Sequence, residues 1–265
     1  MLTHVGLVRE ANEDVVEYVL PGAAANGGCR GLFALVADGM GGHAAGEIAS
    51  RLAADTIRQR FFELEGPPPE VLRACLDAAN GAIYASSRNE PAYAGMGTTC
   101  TVLTVCDETA FLAHIGDSRA YLLREGLLYQ ISHDHSLVAE MVRDGIMTAE
   151  EAAFSPERSV ILRALGTEPR AEPEIWSEGL LVREGDVFLL CSDGLTDLVD
   201  DKTIRDTLRM LIACDACQAL LDAALVAGGT DNISIGVFEI GVRRVEGFLP
   251  GDTRPMPRHR IESVE

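Results

Sequence analysis

Basic side chains are scarce in this sequence: 22 Lys and Arg stand against 41 Asp and Glu, a formal net charge of −19. That deficit excludes a nucleic-acid binder, which needs a basic footprint, and a polybasic membrane-surface protein. Long apolar runs are missing too. The longest uncharged stretch, 91–106, is broken by Gly95, Gly97 and several threonines, so no membrane-inserted helix is expected. Met1-Leu2-Thr3-His4 has neither the basic region nor the apolar stretch of a secretory leader. The seven cysteines are odd in number and follow no repeating framework, which fits a reducing compartment. A cytoplasmic location is the expectation.

What is present is an ordinary globular composition, 47% hydrophobic and 24% charged over 265 residues. No repeat and no long linker divides the chain, so a single domain over 1–245 is expected, with a Pro- and Arg-containing tail at 246–265. Residues 22–31, rich in Gly and Ala, read as a surface loop. Pro67-Pro68-Pro69 separates two helical patterns. The first spans 43–64, with Ile48, Leu52, Phe61 and Leu64 near one face. The second spans 70–88, with Leu72, Cys75, Leu76, Ala79 and Ile83 at helical spacing. Strands are expected at 5–8, 15–20, 32–37, 98–105, 111–115, 120–123, 187–191 and 233–239, and helices at 136–153 and 202–227. Strands adjoin strands and helices come in runs, which points to α+β with antiparallel sheets.

The placement of the carboxylates carries the chemistry. Asp38-Gly39 follows strand 32–37, Gly116-Asp117 follows 111–115, and Ser192-Asp193-Gly194 follows 187–191. Thr230-Asp231-Asn232 precedes 233–239, and Glu13-Asp14 precedes 15–20. Any one of these aspartates alone reads as a turn or capping residue. Carboxylates converging on one sheet end repel by about 4 kcal/mol per close pair at an effective dielectric near 20, so the set as a whole asks for a cation. Oxygen-only ligation suits Mg²⁺ or Mn²⁺ better than zinc, which recruits His or Cys.

Arg9…Asn12-Glu13-Asp14, Ala37-Asp38-Gly39-Met40-Gly41-Gly42, Met96-Gly97-Thr98-Thr99, Gly116-Asp117-Ser118-Arg119, Asp134-His135-Ser136, Ser192-Asp193-Gly194 and Gly228-Gly229-Thr230-Asp231-Asn232 occur in that order. This ordered set resembles the metal-dependent protein phosphatases, the type 2C Ser/Thr phosphatases, in their compact bacterial form. The resemblance runs from about Val5 to Val237. It implies a four-layer α/β/β/α sandwich, two antiparallel sheets flanked by helix pairs, with the metals at one end. It implies that Asp38 bridges two Mn²⁺ or Mg²⁺ ions with help from the Gly39 carbonyl. Asp193 and Asp231 then complete one ion's shell, Glu13 and Asp14 serve the other, and Asp117 helps hold a third. Arg9 resembles the arginine that grips the substrate phosphate, and 138–163 resembles the flap tied to substrate choice.

The reaction so implied is hydrolysis of phosphoserine and phosphothreonine by a hydroxide bridging the two ions. Its partners are phosphorylated proteins, a Ser/Thr kinase and that kinase's targets, met by a monomer. Met40 stands where eukaryotic members carry a histidine proposed as general acid, so the proton must come from elsewhere; His43 is one candidate, and a structural histidine is the alternative. Cys214-Asp-Ala-Cys217 has redox or zinc spacing but lies in a helical pattern, and His133-Asp134-His135 reads as a packing motif. Two other functions stay open: a metal-loaded phosphomonoesterase for small molecules, and a non-enzymatic binding module.

Overall fold

The computed structural model describes residues 1–20, 31–41 and 45–241, and the backbone of 261–263. The strands are β1 Leu2–His4, β2 Asp14–Val19, β3 Leu32–Met40, β4 Gly97–Thr98, β5 Cys100–Cys106, β6 Thr109–Ile115 and β7 Arg119–Arg124. They continue with β8 Leu127–Gln130, β9 Glu174–Ile175, β10 Leu180–Leu181, β11 Val187–Cys191, β12 Ile233–Ile240 and β13 Ile261–Ser263. The helices are α1 Ala45–Glu63, α2 Pro68–Asn89, α3 Leu137–Arg143, α4 Ala149–Ala153, α5 Asp193–Thr196, α6 Asp201–Met210 and α7 Ala213–Val226.

Alternation along β3 explains the layering. Phe33, Leu35 and Ala37 face one way and pack with Ala49, Ala53, Ile57 and Phe61 of α1 and Leu72, Leu76 and Ile83 of α2. Leu32, Ala34 and Val36 face the other way and meet Phe188, Leu190 and Phe238 of β11 and β12. Beyond those strands, Leu189, Ile235 and Val237 bury against α6 and α7 through Ile204, Leu208, Leu220 and Ala224. Three apolar seams therefore separate four layers, helix, sheet, sheet, helix, as expected. One sheet runs β10-β6-β5-β3-β2, with β4 on β3 and β9 on β6; the other runs β1-β12-β11-β7-β8, with β13 on β12. Every pairing is antiparallel. Among the described residues no helix is long and apolar enough to cross a membrane.

Several local expectations are corrected. Residues 5–8 form no strand, because Gly6 turns the chain at φ +82° and Leu7 N bonds the Gly229 carbonyl instead of a ladder partner. The core face of α1 is a stripe of alanines with Ile57 and Phe61, while Ile48, Leu52 and Leu64 lie at its margin. The helix expected at 202–227 is two helices, broken where Leu211 turns extended. That expected at 136–153 is α3 and α4, each with its own cap, Ser136 and Thr148. The strand expected at 98–105 divides at Thr99. Within the tail, Ile261–Ser263 pairs with Phe238–Ile240. The loop reading at 22–30 and His43 lie outside the described residues.

Candidate metal centre

The antiparallel topology brings the acidic residues together. Asp14 opens β2 and stands directly opposite Asp38 near the end of β3. Asp193 begins α5 as β11 ends, Asp231 directly precedes β12, and β11 and β12 are ladder neighbours. Asp117 sits in the short connection from β6 to β7. All five thus occupy one end of the sandwich, where strands of both sheets stop.

Backbone contacts fix this end. The Asp38 carbonyl accepts from Thr99 N at 2.9 Å and from Thr98 Oγ1 at 2.8 Å, and Asp38 N donates to Thr99 Oγ1 at 2.9 Å. Thr99 Oγ1 in turn lies 2.8 Å from Ser118 Oγ, beside Asp117. Gly39 N donates to the Glu13 carbonyl at 3.2 Å, and Ser50 Oγ of α1 donates to that same carbonyl at 2.6 Å. A Cβ on Gly39 would fall 2.1 Å from the Gly46 carbonyl oxygen, so only glycine lets β3 pass this close to the start of α1. The Glu13 carboxylate lies against Gly46.

The electrostatics follow from burial. Asp14 is 5% exposed; burial pushes its carboxyl up to about 6, while a 2.8 Å hydrogen bond from Ser192 Oγ pulls the other way. Asp38 is held well above the ordinary carboxylate range, first by burial and then by the facing charges of Asp14, Asp193, Asp117 and Asp231. Asp193 is raised likewise by burial, and after that by Asp117, Asp197, Asp231 and Asp14. Asp117 is pushed up to about 6 by burial and by Asp134, and burial raises Glu13 as well.

Two oxygens decide whether a metal fits. Asp14 Oδ1 and Asp193 Oδ1 are buried without a hydrogen-bond partner. A buried carboxylate oxygen left unpaired is costly unless a cation meets it. Among the described residues no three His, Cys, Asp or Glu side chains stand together closely enough to hold a metal ion as they are placed. The carboxylates form an open, oxygen-only array instead, the donor set of an ion that keeps several waters, as Mg²⁺ does. The residues present therefore fit a divalent cation of that kind.

The structure places the remaining candidates unevenly. Arg9 is half exposed at the rim, with Nη2 2.6 Å from Asp231 Oδ2, paired to an expected metal ligand. Met40 closes β3. His133 is exposed and pairs with Glu174, Asp134 takes a bidentate bond from Arg119, and buried His135 accepts at Nδ1 from Gly116 N, so only His135 of the trio packs in the interior. Cys217 is buried and Cys214 exposed on α7, a helix face as expected. Residue-type reasoning gives no role to Thr98, Thr99, Ser192 or Asn232, although Ser192 and Asn232 each adjoin a named aspartate in the chain.

Buried carboxylates facing one another, with an arginine at their rim, are a donor set suited to divalent cations beside a guanidinium able to pair an anion. The chain belongs to the protein phosphatase 2C family, whose profile matches residues 22–227. It is 43% identical over 239 residues to the serine/threonine protein phosphatase PstP of Mycobacterium tuberculosis, covering 89% of this chain but only 43% of that protein. It is 34% identical over 251 residues to the protein phosphatase PhpP of Streptococcus pneumoniae, covering 93% of this chain and 98% of that one. Among solved structures, the catalytic domain of PstP in complex with two manganese ions superposes with a TM-score of 0.77 at 40% identity, covering 89% of this chain and 94% of that chain.

Proposed function

We propose that this chain is a Mn²⁺- or Mg²⁺-dependent protein phosphatase that hydrolyses phosphoserine and phosphothreonine and reverses Ser/Thr kinase signalling in a bacterial cytoplasm. The observation that carries the reading is the pair of orphaned buried oxygens, Asp14 Oδ1 and Asp193 Oδ1, within a cluster of facing carboxylates. The names of PstP and PhpP, and the two manganese ions in the PstP structure, support the same chemistry.

Asp38, the Gly39 carbonyl, Asp193, Asp231, Glu13 and Asp14 would hold two ions and Asp117 would help hold a third. Bound there, the ions supply Lewis-acid activation of water and charge neutralisation for in-line attack on phosphorus. Arg9, on the rim, orients the substrate phosphate with a planar guanidinium and offsets the repulsion between a −19 protein and an anionic ester. Ser192 holds Asp14 through Oδ2 and leaves the buried Oδ1 without a hydrogen-bond partner, free for an ion. Thr98 and Thr99 fix the Asp38 backbone so that its carboxylate keeps its aim.

The catalytic domain is proposed to span 1–245 as a monomer, with a flap at 138–163 and a tail at 246–265. Its partners are a Ser/Thr kinase and that kinase's targets. The flap base supports a role beside the site: Leu137 N bonds the Val160 carbonyl, Leu162 N bonds the His135 carbonyl, and Leu165 pairs with Thr98 next to Asp38. Phe154, 88% exposed on the proposed flap, offers an apolar side chain to a peptide substrate.

Turnover of a phosphothreonine peptide compared with a panel of small phosphate esters, both in Mn²⁺, tests the substrate class. The peptide is expected to have the higher kcat/KM, and Phe154→Ala is expected to narrow that gap without changing the melting temperature. Preference for a small ester would contradict the protein-phosphatase reading.

A further inference from the structure

Asn232 commits its whole amide to the loop that carries Arg9. Its Nδ2 donates to the carbonyls of Val5 and Ala11, each at 2.9 Å, and its Oδ1 accepts from Glu13 N at 2.8 Å. The residue is 5% exposed, so these bonds are made away from water. Both ends of the segment from Val5 to Glu13 therefore hang from one side chain.

The middle of that loop is fastened to the same strand end. Leu7 N donates to the Gly229 carbonyl at 2.7 Å, and Gly6 N donates to His4 Nδ1 at 2.9 Å. Gly6 adopts φ +82°, and a Cβ there would fall 2.1 Å from the Asp231 carbonyl oxygen, so the loop backbone rests directly on residue 231. Arg9 emerges from this platform and reaches Asp231 Oδ2 at 2.6 Å. Two consecutive residues thus divide the work: the Asp231 carboxylate joins the cluster, and the Asn232 amide sets the loop.

We propose that Asn232 is a positioning residue that holds Arg9 in register with the carboxylate cluster, so that phosphate is gripped at the place where the reaction occurs. The inference rests on the phosphate role given to Arg9 above. Asn232 acts on the substrate phosphate through Arg9; it also anchors the Glu13 backbone through one bond against two for the loop carbonyls, so its loss is expected to weaken phosphate binding more than metal binding or turnover.

The test uses the full chain loaded with Mn²⁺, as wild type, Asn232→Ala, Asn232→Asp, Arg9→Ala and the Arg9→Ala/Asn232→Ala double variant. Asn232→Asp keeps the acceptor for Glu13 N and loses both donors, and it carries the test if the alanine variant does not fold. Amide exchange of residues 6–12 is expected to speed up in both Asn232 variants while β3 and β5 keep their protection. KM for p-nitrophenyl phosphate and Ki for inorganic phosphate are expected to rise about tenfold, the equivalent of about one charge-assisted hydrogen bond, with kcat and calorimetric Mn²⁺ affinity changed less than about threefold. The double variant is expected to match Arg9→Ala in phosphate Ki, since the loss passes through Arg9.

Unchanged loop exchange, fully additive losses in the double variant, or a fall in kcat or Mn²⁺ affinity without a rise in KM would each overturn the proposal. A wild type that binds Mn²⁺ yet neither hydrolyses the ester nor responds to phosphate would remove the phosphatase reading instead. The exchange of residues 6–12 would then decide the role of Asn232 on its own.

Discussion

Each buried carboxylate in the proposed centre is costly to ionise, and a bound cation would offset that cost. Asp14 and Asp117 bind their protons up to about 6, and Asp38 and Asp193 are held well above the ordinary range. An unfolded aspartate releases its proton near 3.9. The folded state therefore binds more protons over this window, so the contribution of Asp14 and Asp117 is fully present below about 4 and is lost as pH rises through about 6, and that of Asp38 and Asp193 is lost in the same direction. His114 and His135 work in the opposite sense. Burial brings both down to about 4, and their contribution is lost as pH falls from about 6.5 toward 4. The histidine effects cancel in a difference between metal-loaded and metal-free protein. The melting temperature in Mn²⁺ minus that in chelator is therefore expected to be small at pH 5 and to widen toward pH 7.5, because protons and metal compete for the same oxygens. A difference that does not change with pH would contradict this picture of the site. The aspartates were legible in the sequence because each adjoins an apolar strand and most adjoin a glycine. The roles of Asn232 and Ser192 are not legible in the sequence, since the Asn232 amide bonds partners 219 to 227 residues away and Ser192 reaches Asp14 across 178.

Elements were legible where burial was uniform along them. The expectation for β11 matches residue for residue, because Val187–Cys191 is buried on both faces and bounded by Asp186 and Ser192. The tiny strands β4, β9 and β10 left no pattern, being two residues each. The strand expected at 5–8 failed because an apolar Val-Gly-Leu-Val run is used there as a turn against Asp231. Antiparallel α+β architecture was nonetheless readable, since element order does not depend on individual ends. The closeness of β3 to α1 was invisible in the sequence, and it makes a sharp demand at one position. Gly39→Ala puts a methyl 2.1 Å from the Gly46 carbonyl oxygen, where backbone rather than a flexible side chain must yield. The variant is expected to lose about 2 kcal/mol or more of stability by overpacking and to weaken Mn²⁺ binding by displacing Glu13 and Asp38. Denaturant melts and calorimetry read the two effects, and a variant with wild-type values in both would show that the two elements can separate freely.

At the scale of the whole molecule, three apolar seams support four layers and leave one end for chemistry. A protein of net charge −19 is a poor host for phosphate esters unless cations stand at that end. The fold supplies one guanidinium at the rim, Arg9, and an array of facing carboxylates that asks for divalent ions. This combination was the most legible part of the chain, because ordered Asp-Gly and Arg motifs carry it. The central claim is that those carboxylates work only through the ions they bind. Phosphate release from a phosphothreonine peptide, measured in Mn²⁺, in excess chelator and with Asp38→Asn, tests it most directly. The account predicts turnover in Mn²⁺, none in chelator, and loss of at least about a thousandfold in a folded Asp38→Asn variant, the scale on which removing a key catalytic group acts. Equal turnover in chelator, or by the variant, would contradict it.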